Sequence, residues 1–456
     1  MCPLGLEMRY LKWNIKLLIM NRENVVSEIA AAKSIIAEKM KFPLISASFL
    51  VLGNVLGVGV LALPIKTGLA GYVPALIGIV LIWLVMLITA CIIAYRLGNR
   101  EHFDIPSFYH QEVGSIGKWI AIACNLLLLY GVLVAYLSGI STMVMNLFHV
   151  SVPQWLVIIV YFLILTTLVM FGTGILHKGN AFIIIGVWIC FFVLIFSGVS
   201  HFDNHQLFST YEWKYMPIGF PIVVSAFHFH NIIPTVRRTM ANDFKGTCRA
   251  IFLGVFMGLV INLAWVTVVL GSLPEITGGD SIVSANTHNW PANIPMSDLL
   301  KSELFKYSSL GFALLAVSAS YVANGTGLFG FVRDLTHTYF KTQNRILVGT
   351  LSFLPPLLVT LIYPDIFLNA LEFVGGVGEA ILFIVLPGFI LWRISRKVPG
   401  RRWLAVVGVL IFMLGLFITI YVLSIETGLI KKHLPKPSLT GENNLKLKIK
   451  VEKSKF

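Results

Sequence analysis

The chain has 456 residues, 57% of them apolar and only 12% charged, against roughly 25% charged in an ordinary soluble domain. Mean hydropathy is +0.84 over the whole length, which excludes a soluble enzyme with one anchor, a disordered scaffold and a disulfide-framed secreted module. The formal net charge of +14 addresses either nucleic acid or membrane orientation, and position along the chain decides between them.

Residues 1–41 hold seven Lys or Arg and an apolar patch around Leu17–Met20 too short for a signal sequence. This segment reads as a cytoplasmic, interfacial stretch, or as sequence upstream of a translation start at Met40. Apolar runs long enough to cross a bilayer follow near 43–69, 72–97, 118–147, 153–172, 181–200, 216–236, 248–273, 307–331, 345–363, 365–391 and 402–427. The expected fold is therefore an all-α integral membrane protein of about eleven transmembrane helices. Its segments are a transport core over 42–391, an eleventh helix within 392–427, and a basic tail over 428–456.

Sixteen Lys and Arg in alternate connections share the side of the N-terminal segment, and four, Lys66, Lys214, Lys301 and Lys306, are assigned to the opposite connections. Cation excess marks the cytoplasmic face, so the N-terminus is expected inside and the protein in the cell (inner) membrane. Most of the charge is then topological, with the lipid bilayer as partner and no nucleic acid. The eight Lys of 428–456 stand against the outward C-terminus that an odd number of spans implies. The longest connection, 274–306, with Pro291, Pro295 and an amphipathic stretch over Met296–Lys306, reads as an external cap or gate.

Shifting the first five spans by about 170 residues lays them over spans six to ten, with Pro64 on Pro234. Two successive copies of five spans must have opposite orientations, which is the inverted-repeat design of many secondary transporters. Helices 1 and 6 are expected to be discontinuous. The first carries Gly53, Asn54, Gly57, Gly59 and Pro64, and the sixth carries Phe227, His228, Phe229, His230, Asn231 and Pro234. Gly and Pro release backbone groups from the helical ladder, and paired interruptions at matching repeat positions mark a substrate site. Close packing through small residues accounts for Gly53 and Gly57 but not for Pro64 or the His-Asn cluster.

Free amide groups at a half-helix amino end suit a carboxylate, and carbonyls at the opposite ends suit an ammonium. An α-amino acid carries both. Phe227 and Phe229 are candidates to stack on an aromatic substrate, and His228 or His230 to hydrogen-bond a phenol or indole. Tyr130 of the third span, with Asn125 and Tyr136 as similar residues, and Ser320 and Asn324 of the eighth are further lining candidates. Glu372 and Glu379 are the acidic residues well inside a span. Intramembrane carboxyl groups serve proton relays, and Glu379, the deeper, is the stronger proton-coupling candidate. The phosphate-binding G-x-x-x-x-G-K-[ST] and the zinc-binding H-E-x-x-H patterns are absent. No cofactor, metal site or enzymatic activity is expected.

At these residues the chain resembles the hydroxy and aromatic amino-acid permease family, in its tyrosine- and tryptophan-specific branch, within the amino acid–polyamine–organocation superfamily. The motifs are Gly53-Asn-Val-Leu-Gly57-Val-Gly59-Val-Leu-Ala-Leu-Pro64 with Gly71-Tyr-Val-Pro74, and Ser225-Ala-Phe-His-Phe-His230-Asn-Ile-Ile-Pro234 leading into Arg237-Arg238. The resemblance implies a 5+5 inverted-repeat core with an added eleventh helix, and uptake of an aromatic amino acid, tyrosine first, driven by protons. The same scaffold carrying tryptophan, phenylalanine or serine/threonine, or acting as a non-transporting amino-acid sensor, is the alternative expectation.

Overall fold

A computed structural model describes residues 43–57, 59–98, 104–148, 151–171, 173–208, 211–274, 281–397, 400 and 402–430, with backbone alone over 173–182 and at 184. The expectations for residues 1–41, and for the side on which the lysine-rich tail emerges, lie outside the described residues. No strand occurs among the described residues. Helices satisfy each backbone N–H and C=O within one segment, which hydrocarbon surroundings require.

The first span is two helices, α1 (Pro43–Val55) and α2 (Gly59–Gly68), whose axes differ by 58°. Next come α3 (Tyr72–Leu97), the short α4 (Ile105–Val113), α5 (Ser115–Phe148), α6 (Gln154–Phe171) and α7 (Thr173–Gly198). The sixth span is again divided, into α8 (Met216–Ala226) and α9 (Ile233–Thr239), and α10 (Phe244–Ser272) follows. Two small helices, α11 (Ile282–Thr287) and α12 (Asn293–Leu300), precede α13 (Glu303–Phe340) and α14 (Arg345–Ile362). A further span over Phe367–Ser395 runs from α15 (Phe367–Phe373) to α16 (Leu386–Ser395), and α17 (Arg402–Glu426) closes the described core.

Among the described residues, nine helical segments are long and apolar enough to cross a membrane, with α8–α9 and α15–α16 each taken as one, and ten with the bent α1–α2 pair counted as one. Helix α7 stands at the place of the fifth expected span. The packing is symmetric under exchange of the two halves. Helix α1 packs on α10 as α8 packs on α3, and α7 on α13 as the Phe367–Ser395 span packs on α5. These are the relations 1–7 with 6–2, and 5–8 with 10–3, of a five-plus-five repeat. Large apolar side chains such as Leu81, Leu163, Leu410 and Phe417 remain exposed on the outside of the bundle, where lipid is the solvent. Leu61, Leu133, Ile222 and Val269 are fully buried within it.

One expectation is corrected. Lys66 belongs to no connection. Helix α2 continues to Gly68, so Lys66 lies in its last turn, fully buried, with Nζ 2.7 Å from Glu372 Oε2. The 274–306 connection, where described, packs into the bundle: Ala292 N–H donates to the Leu61 carbonyl of α2 at 2.9 Å, and Asn293, Ile294, Pro295 and Met296 are buried. The short α4 was not legible as an apolar run, since it is amphipathic; Asp104 caps it through Ser107 N–H at 2.8 Å.

Candidate functional site

Helix α1 ends at Val55, and Leu56 and Gly57 leave the helical path before α2 begins at Gly59. Helix α8 ends at Ala226, where Phe227 N–H still reaches the Val223 carbonyl, and the chain turns through His228 and Phe229 before α9. The two breaks meet. A Cβ placed on Gly59 would stand 3.0 Å from Ala226 Cα, so glycine lets the amino end of α2 lie against the carboxyl end of α8 without displacing it. Partial positive and partial negative helix ends are thereby presented together at mid-bundle.

Beside this junction lies a cavity of about 330 Å³. Gly53, Asn54, Gly57 and Gly59 line it from the first span, Ser225, His228 and Asn231 from the sixth, and Ser320 and Asn324 from α13. Glu379 closes one wall. Its Oε2 accepts a hydrogen bond from Ser225 Oγ at 2.8 Å, and its Oε1 lies 3.2 Å from His228 Nδ1. The carboxyl group is 1% exposed. Within reach of one buried carboxyl are thus a hydroxyl and an imidazole nitrogen, both anchored at the break of the sixth span.

The remaining sequence-derived candidates are distributed otherwise. Phe227 and Phe229 are fully buried in the core and do not line the cavity. His230 also faces inward: its ring stacks on Phe383 at 4.7 Å, and its Nε2 lies 3.1 Å from Thr89 Oγ1. His228 stacks on the same Phe383 ring at 5.1 Å, so Phe383 joins the two imidazoles. Tyr130 is directed away from the cavity, donating its hydroxyl to the Leu351 carbonyl at 2.8 Å. Glu372 is held by Lys66 and Glu379 by Ser225 and His228, so the two carboxyl groups, seven residues apart, have separate surroundings.

The other wall is built largely from residues common in membrane helices. Tyr136, Val132, Trp188, Val187 and Leu371 line the cavity, with Ala316, Ala319 and Ala323 on the facing turns of α13. Tyr136 and Tyr130 are six residues apart, about one and two-thirds helical turns, which puts them on different faces; Val132, four residues before Tyr136, shares its face. The alanine spacing in α13 carried a detectable signal of one open face. Trp188 carried none.

The span bearing Glu379 is itself irregular. Val374–Glu379 and Ile381–Val385 are wound as π-helix, a form concentrated at functional sites. Gly375 and Gly376 permit it to approach its neighbours, since a Cβ at Gly375 would fall 1.9 Å from the Pro221 carbonyl oxygen of α8. Tyr109 of α4 donates its hydroxyl to the Leu382 carbonyl, which supplies a partner for a backbone group in the π-helical stretch.

A bundle with paired broken helices around a shared cavity is the architecture of a membrane transport protein. The tryptophan/tyrosine permease family profile matches residues 40–426, and the chain belongs to that family, a family of permeases and not of enzymes. Among its relatives, the tyrosine-specific transport system 1 of Haemophilus influenzae is 25% identical over 391 residues, covering 84% of this chain and 97% of the relative. The tryptophan-specific transport protein of the same organism is 24% identical, covering 84% and 94%. A manganese transporter of Eremococcus coleocola has a similar fold, with a TM-score of 0.56 at 13% identity over 90% of this chain and 92% of that one.

Proposed function

We propose that this protein is a secondary active transporter of the cell (inner) membrane that imports an aromatic amino acid, tyrosine first, together with a proton by alternating access. The observation that carries the proposal is the placement of Glu379: a buried carboxyl in the cavity wall, contacted by Ser225 and His228 of the broken sixth span. In this reading the substrate carboxylate meets the amide groups at the amino end of α2, near Gly57 and Gly59. The ammonium meets carbonyls at the carboxyl end of α8. Both helix ends belong to segments that interrupted spans can move independently.

Glu379 takes the proton from the outer side, and His228, through Nδ1, accepts it or returns it as the cavity changes its opening. A carboxyl group at this depth is suited to such a relay. Because Ser225 and His228 belong to the break that also frames the substrate, protonation and substrate occupancy act on the same few residues. The relatives named for tyrosine and for tryptophan support an aromatic cargo, and the tryptophan-named ones support tryptophan as the second reading.

The test is uptake of labelled tyrosine and tryptophan by the purified protein in lipid vesicles. The expectation is accumulation driven by an inward proton gradient and competition by unlabelled aromatic amino acids. Absence of uptake of any aromatic amino acid overturns the cargo, and uptake that follows Na⁺ and ignores pH overturns the coupling.

A further inference from the structure

We infer that Asn324, through its side-chain oxygen, reads a hydrogen-bond donor on the substrate's ring, so that the cavity selects phenol- and indole-bearing amino acids over phenylalanine. The inference rests on the proposed aromatic cargo and assigns the part of the cavity that recognises the side chain.

The two histidines are not placed for this task. His228 has Nδ1 against Glu379, and its Nε2 is buried with no partner among the described residues. His230 does not line the cavity. Asn324 does, and its orientation is fixed by chemistry. Its Nδ2 lies 3.0 Å from the Ser320 backbone carbonyl, which can only accept, so the amide nitrogen must face that way. The second Nδ2 proton is directed to the Tyr136 hydroxyl at 3.2 Å. Both donors of the amide are then engaged within the protein. The oxygen Oδ1 is left as an acceptor with no hydrogen-bond partner among the described residues.

The surroundings admit a ring. On α13, Ala316, Ala319, Ser320, Ala323 and Asn324 recur at helical spacing along the cavity wall, and their small side chains leave room beside it. Trp188 and Tyr136 add aromatic surface at the same wall. A phenol O–H and an indole N–H are both donors, and one amide oxygen accepts either; a phenyl ring offers nothing and leaves the acceptor desolvated and unpaired, which disfavours it.

The experiment measures binding and uptake of tyrosine, tryptophan, phenylalanine and N1-methyltryptophan by the reconstituted protein and by Asn324→Leu and Asn324→Asp. The unaltered protein is expected to prefer tyrosine over phenylalanine, and tryptophan over N1-methyltryptophan, by roughly tenfold or more. Asn324→Leu is expected to collapse both ratios to within about threefold of unity, while Asn324→Asp, which in its protonated form can donate to the Ser320 carbonyl and still offer its other oxygen as an acceptor, retains them. Binding by the purified variants gives the ratios where a variant no longer transports. If Asn324→Leu weakens all four ligands equally, the side chain reads the amino-acid backbone and the inference is overturned. Unchanged ratios in Asn324→Leu overturn it as well, with the aromatic cargo intact. No binding of any aromatic amino acid by the unaltered protein overturns the cargo reading and this inference together.

Discussion

Glu379 and Glu372 look alike in sequence, two acids on one helix seven residues apart, and the structure gives them opposite surroundings. Glu372 is ion-paired with Lys66 at 2.7 Å with both side chains buried. Removing one partner of such a pair leaves an uncompensated buried charge, at a cost of about 3–5 kcal/mol. Lys66→Met is therefore expected to lower thermal stability in detergent strongly, and the double variant Lys66→Met with Glu372→Leu to recover most of the loss. A double variant no more stable than the single one would show that the pair is not what Lys66 contributes. Glu379, bound to Ser225 and His228, is expected to behave otherwise: Glu379→Gln keeps the hydrogen bond from Ser225 and should retain substrate exchange between vesicle compartments. It should lose at least tenfold of the accumulation driven by a proton gradient. Accumulation unchanged in Glu379→Gln would remove this residue from the coupling. The sequence made both acids visible because charges inside spans are rare, but the pairing was hidden. Lys66 stands at the end of an apolar run and Glu372 is 306 positions away, so only the packing of α2 on the tenth span could reveal it.

The breaks in spans one and six were legible because glycine, proline and polar residues interrupt otherwise apolar runs, and local chemistry dictates local structure there. The π-helical character of Val374–Val385 was not. Glycines at 375, 376 and 378 are compatible with a break, a close contact or a wide turn, and what decides is the neighbour. Here the Pro221 carbonyl occupies the space a side chain at Gly375 would need. Gly375→Ala is expected to destabilise the protein by at least the roughly 1–3 kcal/mol of an over-packed core, and to impair transport, since α8 would be displaced from Glu379. Wild-type unfolding temperature and transport in that variant would contradict the close contact. The companion change Tyr109→Phe strips the Leu382 carbonyl of its side-chain partner, and a loss of about 1–3 kcal/mol is expected. The aromatic cluster of the sixth span divided unexpectedly for the same reason: alternation along a non-helical turn sends His228 to the cavity and Phe227 and Phe229 into the core. Rings in a sequence do not reveal which side of a broken helix they will occupy.

At the scale of the molecule, most of the architecture could be read from the chain. Hydrophobic runs, a shift of about 170 residues and paired interruptions imply two inverted halves, and the exchange symmetry of the packing matches them. The cavity wall contributed by α5, α7 and α13 could be read only in part: Ser320, Asn324 and the spacing of the α13 alanines mark a polar or open face, whereas Trp188 is an ordinary residue of a membrane helix until three elements converge. Two broken helices, a buried carboxyl between them and a cavity of about 330 Å³ together support one account: proton and aromatic amino acid are taken up through the same break and move together. The measurement that bears on it most directly is tyrosine uptake into vesicles with pH and Na⁺ gradients imposed independently. The account predicts accumulation that rises as the outer compartment is made more acidic than the lumen, that vanishes when the proton gradient is collapsed, and that is indifferent to Na⁺. Accumulation that persists without a proton gradient and follows Na⁺ instead would contradict it.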